Sequence, residues 1–411
     1  MANVRPFFCV RPAQAAAARV AALPYDVYSE DEARKETERE PLSFLRIDRA
    51  ETQLSGETAP GDPQIYEKAA ALLKEAVDGG VFVEETEACY YLYELTWEGR
   101  SQTGVVGCVS VDDYLDGTVR RHESTRTDKE EDRVSHVREC RAQTGPIFMA
   151  CDSSPALGEI MEQLKEDEPL YDFTAPDGVR HRVWRVDGEE RTKQLREVLG
   201  SLPALYIADG HHRAASAVRV AQELRAEHPD YTGQEEFNYF LSVIFCRDEL
   251  QILPYNRVVR DLNGLTPGEF LCRLEAKFQI TGCGAMAVSP QHRGEMGLYL
   301  QGNWYHLRVR EELRSADPVD GLDVSYLQQE VLTPILGIGD PRTDHRIDFV
   351  GGIRGLAELE RRCRTDMAAA FSLYATSMEE LFAVADAGRM MPPKSTWFEP
   401  KLRSGLFIHR I

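Results

Sequence analysis

The sequence predicts a mixed α/β protein (α+β in character), and three observations predict it. Runs rich in aromatic and β-branched residues, such as 89–97, 103–111 and 237–246, have the composition of strands. Between them lie stretches with apolar or charged residues every three or four positions, such as 65–77 and 189–200, which suit helices. At 411 residues, with 43% hydrophobic and 28% charged residues, the chain has material for about two or three domains, each with a core of its own.

Read in order, an apolar stretch at 7–10 precedes an alanine-rich segment, 13–23, expected to be helical up to Pro24. Residues 29–39 are dense in charge and are expected as a solvated helix; 51–63 are rich in Gly, Pro, Thr and Glu and read as an exposed loop. The helix at 65–77 stops at Gly79-Gly80. The link Glu98-Gly99-Arg100-Ser101 predicts a hairpin between 89–97 and 103–111. From about Lys129 to Arg141, charges at three- and four-residue intervals predict a solvated helix with ion pairs. Short strands are expected at 147–151 and 181–186, and 237–246 is expected to pair with 250–259 across Arg247-Asp248-Glu249. Asn263-Gly264 and Pro267 mark a break, which places a boundary near 265: an N-terminal region 1–265 and a C-terminal α+β domain 266–411.

Composition narrows the function classes. With 48 Lys and Arg against 68 Asp and Glu, the formal charge is −20, which opposes nucleic acid and anionic membranes. The basic residues form no run. No signal peptide and no eighteen-residue apolar span are seen, and the nine cysteines include no C-x-x-C pair. A cytoplasmic protein without nucleic-acid or membrane partners is expected; the oligomeric state is left open. Neither G-x-x-x-x-G-K-[ST] nor G-x-G-x-x-G occurs, so P-loop and Rossmann nucleotide sites have no support.

The most informative segment is Leu205-Tyr206-Ile207-Ala208-Asp209-Gly210-His211-His212-Arg213. A strand runs into five residues that carry chemistry, and a helical pattern comes next (Ala214, Ala215, Ala217, Val218, Val220, Ala221, Leu224). Unpaired N–H groups and the positive end of the helix dipole favour an anion there, a phosphate above all. Asp209 alone reads equally as an N-cap and Arg213 as a surface charge. Two adjacent histidines between Asp-Gly and Arg, in a chain with ten histidines, tip the reading toward a site. A second cluster, His122-Glu123-Ser124-Thr125, precedes the 129–141 helix and is a candidate for gripping a substrate. Lys394-Ser395-Thr396, with Lys401 beyond Trp397 and Phe398, reads either as a clamp over a ligand or as snorkelling lysines over packed aromatics.

These segments, together with Arg5-Pro6-Phe7, Pro24-Tyr25-Asp26-Val27, Arg346-Ile347-Asp348 and Pro400-Lys401, resemble the bacterial and archaeal DUF1015 family along nearly the whole chain. The resemblance implies a ParB/sulfiredoxin-like core with an additional C-terminal α+β domain. Its Asp-Gly-His-His-Arg turn is similar to that of kinases which phosphorylate free serine from a nucleotide donor. The resemblance also implies ATP or ADP and Mg²⁺ as cofactors and an amino acid, serine, as substrate, in the kinase or the reverse phosphatase direction. Gly210, His211, His212, Arg213, Lys394, Ser395 and Thr396 are then candidates for the nucleotide, and His122, Glu123, Ser124 and Thr125 for the substrate. Asp209, Glu123 and His211 are the catalytic candidates, Asp209 as general base or as magnesium ligand. Asn256-Arg257 stands where the family pattern leads to His-Arg. The rival readings are a non-catalytic nucleotide-binding regulator of the ParB type and a sulfiredoxin-like enzyme, which needs a reactive cysteine near the turn. Asp26, Arg346 and Asp348 are expected in a salt bridge between domains.

Overall fold

The computed structural model describes residues 1–56 and 58–411; Glu57, inside the 51–63 loop expectation, lies outside the described residues. The architecture is the mixed α/β one expected, and it divides into two compact units. Unit 1 comprises residues 1–120, 125–250 and 400–411; unit 2 comprises 121–124 and 251–399.

Unit 1 is built on a nine-stranded sheet in the order Val119–Arg120, Leu205–Asp209, Ile147–Cys151, Tyr239–Cys246, Arg100–Ser110, Tyr90–Trp97, Arg180–Val186, Tyr171–Thr174, with Val4–Arg5 paired to Arg100–Ser110. The central strand Tyr239–Cys246 is buried along its full length, and it runs parallel to Ile147–Cys151 and antiparallel to Arg100–Ser110. Its unbroken apolar run follows from that double burial. The hairpin is present: Trp97 faces Arg100, so Glu98 and Gly99 form a two-residue turn with φ of 50° and 79°, the paired left-handed geometry of a type I′ turn. A four-stranded sheet, Phe82–Glu84, Cys9–Pro12, Ile408–Arg410 and Ala142–Gln143, joins the N-terminal strand Cys9–Pro12 to the last strand of unit 1.

Helices confirm most of the sequence reading, with two corrections in unit 1. Pro63–Asp78 starts at the Asp62 cap with proline in its first turn, and Glu30–Arg39 carries a full Ser29–Glu32 capping box. The alanine-rich 13–23 stretch is only a 3₁₀ turn, Gln14–Ala16, and one helical turn, Ala17–Val20; neither has a side-chain cap, and alanine propensity alone does not carry so short a helix. The helix Thr127–Cys140 is not a solvated one throughout. Arg133 and His136 are buried, and Val134 and Val137 pack on Val220 and Leu224 of the helix His211–Glu227.

Unit 2 holds a six-stranded sheet in the order Phe278–Gly284, Asn303–Val309, Glu295–Leu300, Ala369–Leu373, Tyr255–Val259, Ile347–Gly351. The expected pairing of 237–246 with 250–259 does not occur. Pro254 interrupts the second run: Gln251–Leu253 pairs with Trp397–Glu399, and Tyr255–Val259 pairs with Ile347–Gly351 and Ala369–Leu373. Asn256 is a packing residue here; it is buried, and its side-chain oxygen accepts the Leu373 N–H at 3.0 Å. Arg346 pairs with Asp344 and, at 3.7 Å, with Asp261, and Asp348 pairs with Arg362, all inside unit 2. Among the described residues no helix is long and apolar enough to cross a membrane.

Candidate functional site

The strand Leu205–Asp209 delivers Asp209 to the start of the helix His211–Glu227. Its pairing with Ile147–Cys151 slips between Ile207 and Asp209, an irregularity that re-aims the last side chain. Gly210 sits between strand and helix at φ 94°, and a Cβ there would lie 3.1 Å from Arg213 Nε. The left-handed backbone favours glycine here, and a side chain would also crowd the guanidinium folded over it. The helix starts at His211, so His211, His212 and Arg213 make up its first turn.

That first turn contains no acidic residue, and Gly210 offers no side-chain cap. Basic residues at the positive end of a helix dipole oppose stability, and an anion at the N–H groups offsets them. Lys401, 192 residues away in sequence but in the same unit, donates to Asp209 Oδ2 at 2.7 Å. The Gly210 N–H donates to Oδ1 at 2.8 Å. Burial pushes the Asp209 carboxyl up, but Lys401 and Arg213, with help from His211, outweigh it and hold the carboxyl well below the usual carboxylate range. Arg213 Nη1 donates to the Pro146 carbonyl at 2.6 Å. The Arg126 N–H donates to His212 Nε2 at 3.0 Å, so that nitrogen is an acceptor and a neutral His212 carries its proton on Nδ1.

The remaining candidates fall in both units. In unit 1, the Thr125 hydroxyl donates to Glu130 at 2.9 Å. His122, Glu123 and Ser124 belong to unit 2, where the His122 carbonyl accepts the Met391 N–H at 2.7 Å. Lys394, Ser395 and Thr396 are also in unit 2. Lys394 is exposed, adopts φ 59°, and holds its Nζ 5.7 Å from the Tyr255 ring centre. The Ser395 hydroxyl donates to the Pro392 carbonyl at 2.6 Å, and its own carbonyl accepts from Thr376; Thr396 is half-buried. The structure thus brings together Asp209, Gly210, His211, His212, Arg213 and Lys401 in unit 1, while the Lys394–Thr396 turn is anchored within unit 2.

Sequence reasoning missed Arg133 and His136, which line a recess of unit 1 together with Arg213. Their charge spacing reads as solvated; nothing local marks the buried face. The sulfiredoxin reading fails on position. Cys151 is buried at the far end of its strand from Phe148, the residue that faces Asp209. The Cys246 sulfur and burial also push its thiol up, the reverse of a reactive cysteine.

The family model described as "Protein of unknown function (DUF1015)" matches residues 4–325. No curated protein matches the chain. Solved structures similar to it include a free serine kinase variant in complex with ADP, at TM-score 0.38 and 15% identity over 75% of this chain and 91% of that one. They also include SbnI with a C-terminal truncation from Staphylococcus aureus, at TM-score 0.39 and 12% identity over 74% and 87%. A conserved hypothetical protein from Pyrococcus furiosus is similar at TM-score 0.34 and 13% identity over 74% and 95%.

Proposed function

We propose, since the chain belongs to the DUF1015 family and that family's description states no activity, that this protein is a nucleotide-dependent phosphotransferase acting on a small-molecule hydroxyl. Free serine is the acceptor that the resemblance of the turn implies, and ATP or ADP with Mg²⁺ the donor. One observation carries the reading. Arg213 and two imidazoles occupy the uncapped positive end of a seventeen-residue helix, beside an Asp209–Lys401 ion pair.

Phosphoryl transfer asks for positioning and charge neutralisation more than for covalent chemistry. A nucleotide would supply the phosphoryl group. The first-turn N–H groups and the Arg213 guanidinium hold phosphate oxygens. Lys401 adds a positive charge fixed by Asp209. Asp209 remains an anion at all physiological pH; it orients the acceptor hydroxyl and takes its proton as the new O–P bond forms and the bond from the terminal phosphorus to its bridging oxygen breaks, the shortened nucleotide leaving with that electron pair. A carboxylate held so acidic is a weak base, which suits a step whose proton leaves late. Both Asp209 oxygens already accept hydrogen bonds, so a magnesium ion there would compete with Lys401 for Oδ2.

The test is direct. Purified protein with Mg²⁺, L-serine and ATP or ADP is expected to yield O-phosphoserine, read by ³¹P NMR. Asp209→Asn is expected to lower turnover by about 100-fold or more while the melting curve stays cooperative. Absence of product with every common donor and amino acid would reject the enzyme, and nucleotide binding without turnover would select the regulator.

A further inference from the structure

Lys401 reaches Asp209 from a segment that is otherwise mostly apolar. From 402 to 408 the chain reads Leu-Arg-Ser-Gly-Leu-Phe-Ile, and Arg403 is its one charged residue. Arg403 is 4% exposed. A charge taken out of water is costly unless it is paired and hydrogen-bonded, and Arg403 is both, inside unit 1. Its Nη2 donates to Asp177 Oδ2, and its Nε donates to His181 Nε2 at 3.2 Å. His181 has no exposed surface. Its ring stacks on Phe173 with 5.2 Å between centres, and its Nδ1 lies 2.8 Å from the Tyr93 hydroxyl oxygen. Burial, and after it the Arg403 charge, hold the imidazole well below the ordinary histidine range. The ring is therefore neutral. Since Nε2 accepts from Arg403, the proton sits on Nδ1 and is donated to Tyr93. Beside Arg403, Ser404 and Ala22 exchange backbone N–H···O bonds of 2.9 and 3.2 Å.

We infer that His181, Arg403 and Asp177 are positioning residues, which fix the register of segment 400–404 and so hold Lys401 on Asp209. Lys401 Nζ lies 2.7 Å from Asp209 Oδ2, two residues along the chain from Arg403. Apolar side chains such as Leu402 and Leu406 fill space in more than one register; a buried guanidinium with two directed acceptors fits one. A neutral imidazole suits the second acceptor, because Asp177 already balances the charge. The inference rests on the phosphotransferase reading only for its consequence, the fixed positive charge at the site, so the contact is measured without turnover.

Two variants separate the hydrogen bond from the packing. His181→Phe keeps a ring against Phe173 and removes the acceptor; His181→Gln removes the ring and keeps an acceptor oxygen for Arg403. Acylation of the full chain by a succinimidyl ester at neutral pH reports release of the Lys401 amine. It is read by peptide mass spectrometry relative to the exposed Lys193. His181→Phe is expected to raise Lys401 acylation about fivefold or more, and His181→Gln to leave it within about twofold of the wild type. Should His181→Phe fail to fold, Asp177→Asn, at a partly exposed side chain, is expected to raise it about threefold or more. Wild-type acylation in folded His181→Phe or in Asp177→Asn, equal increases in the Phe and Gln variants, or an increase in the Gln variant alone would overturn the inference. A wild type without phosphotransfer sinks the enzyme and leaves the Lys401 result in place. Phosphotransfer with Lys401 unmoved in the variants sinks this inference alone.

Discussion

Asp209 and Lys401 show how a single ion pair links site chemistry to stability. The pair is largely enclosed, with the lysine side chain 13% and the carboxylate 32% exposed. Because the folded carboxyl titrates below its ordinary value near 3.9, its contribution is present above that pH and is lost as pH falls below it. Lys401→Met removes the strongest influence that lowers it. The variant is expected to lose about 1–3 kcal/mol at pH 7, a deficit that shrinks toward pH 3 in urea unfolding. A constant deficit across that range would mean that packing, not charge, sets the effect. Asp323 in unit 2 has the opposite sign. Burial pushes its carboxyl up to about 7, against the Gly294 N–H that donates to it. A raised acid contributes stability below its unfolded value and loses it as pH rises through the folded one. Asp323→Asn is therefore expected to raise stability at pH 8, by on the order of 2–4 kcal/mol, with no gain at pH 3.5.

At the scale of elements, legibility tracks how local the determining physics is. The 98–99 hairpin is readable because two left-handed residues at a two-residue link specify one turn type. Glu98 is the less suited of the two, and Glu98→Asn creates the preferred Asn-Gly pair. That change is expected to raise stability by about 0.5–1 kcal/mol, measured by thermal unfolding; a loss would show that the Glu98 side chain has a role the turn geometry does not reveal. The strand–turn–helix at 205–227 is equally readable, since its glycine, its polar cluster and its apolar spacing are contiguous. The helix Thr127–Cys140 is legible in position, but its buried face is not. Arg133 and His136 are buried because Tyr25 and the Ile47 carbonyl meet them, and those groups come from distant parts of the sequence.

At the scale of the whole chain, the readable part ends where pairing is long-range. The Gln251–Leu253 strand finds Trp397–Glu399, and Lys401 finds Asp209, through separations that leave no local mark. Segment 400–411 returns to unit 1, where Ile408–Arg410 joins Cys9–Pro12 to Ala142–Gln143. Gly405 makes that return possible. Its φ is 83°, and a Cβ would lie 2.5 Å from Phe44 Cγ, a fully enclosed ring of the N-terminal core. Gly80 has a similar φ of 73° but nothing within 4 Å of its Cβ position, so the two positions separate backbone strain from crowding. Gly80→Ala is expected to cost about 1 kcal/mol. Gly405→Ala bears the same strain plus displacement of Phe44, and is expected to cost about 2–4 kcal/mol in urea unfolding. It is also expected to slow turnover, because Lys401 lies just upstream on the same segment. Equal losses in the two variants would show that the Phe44 contact does not hold the segment in place.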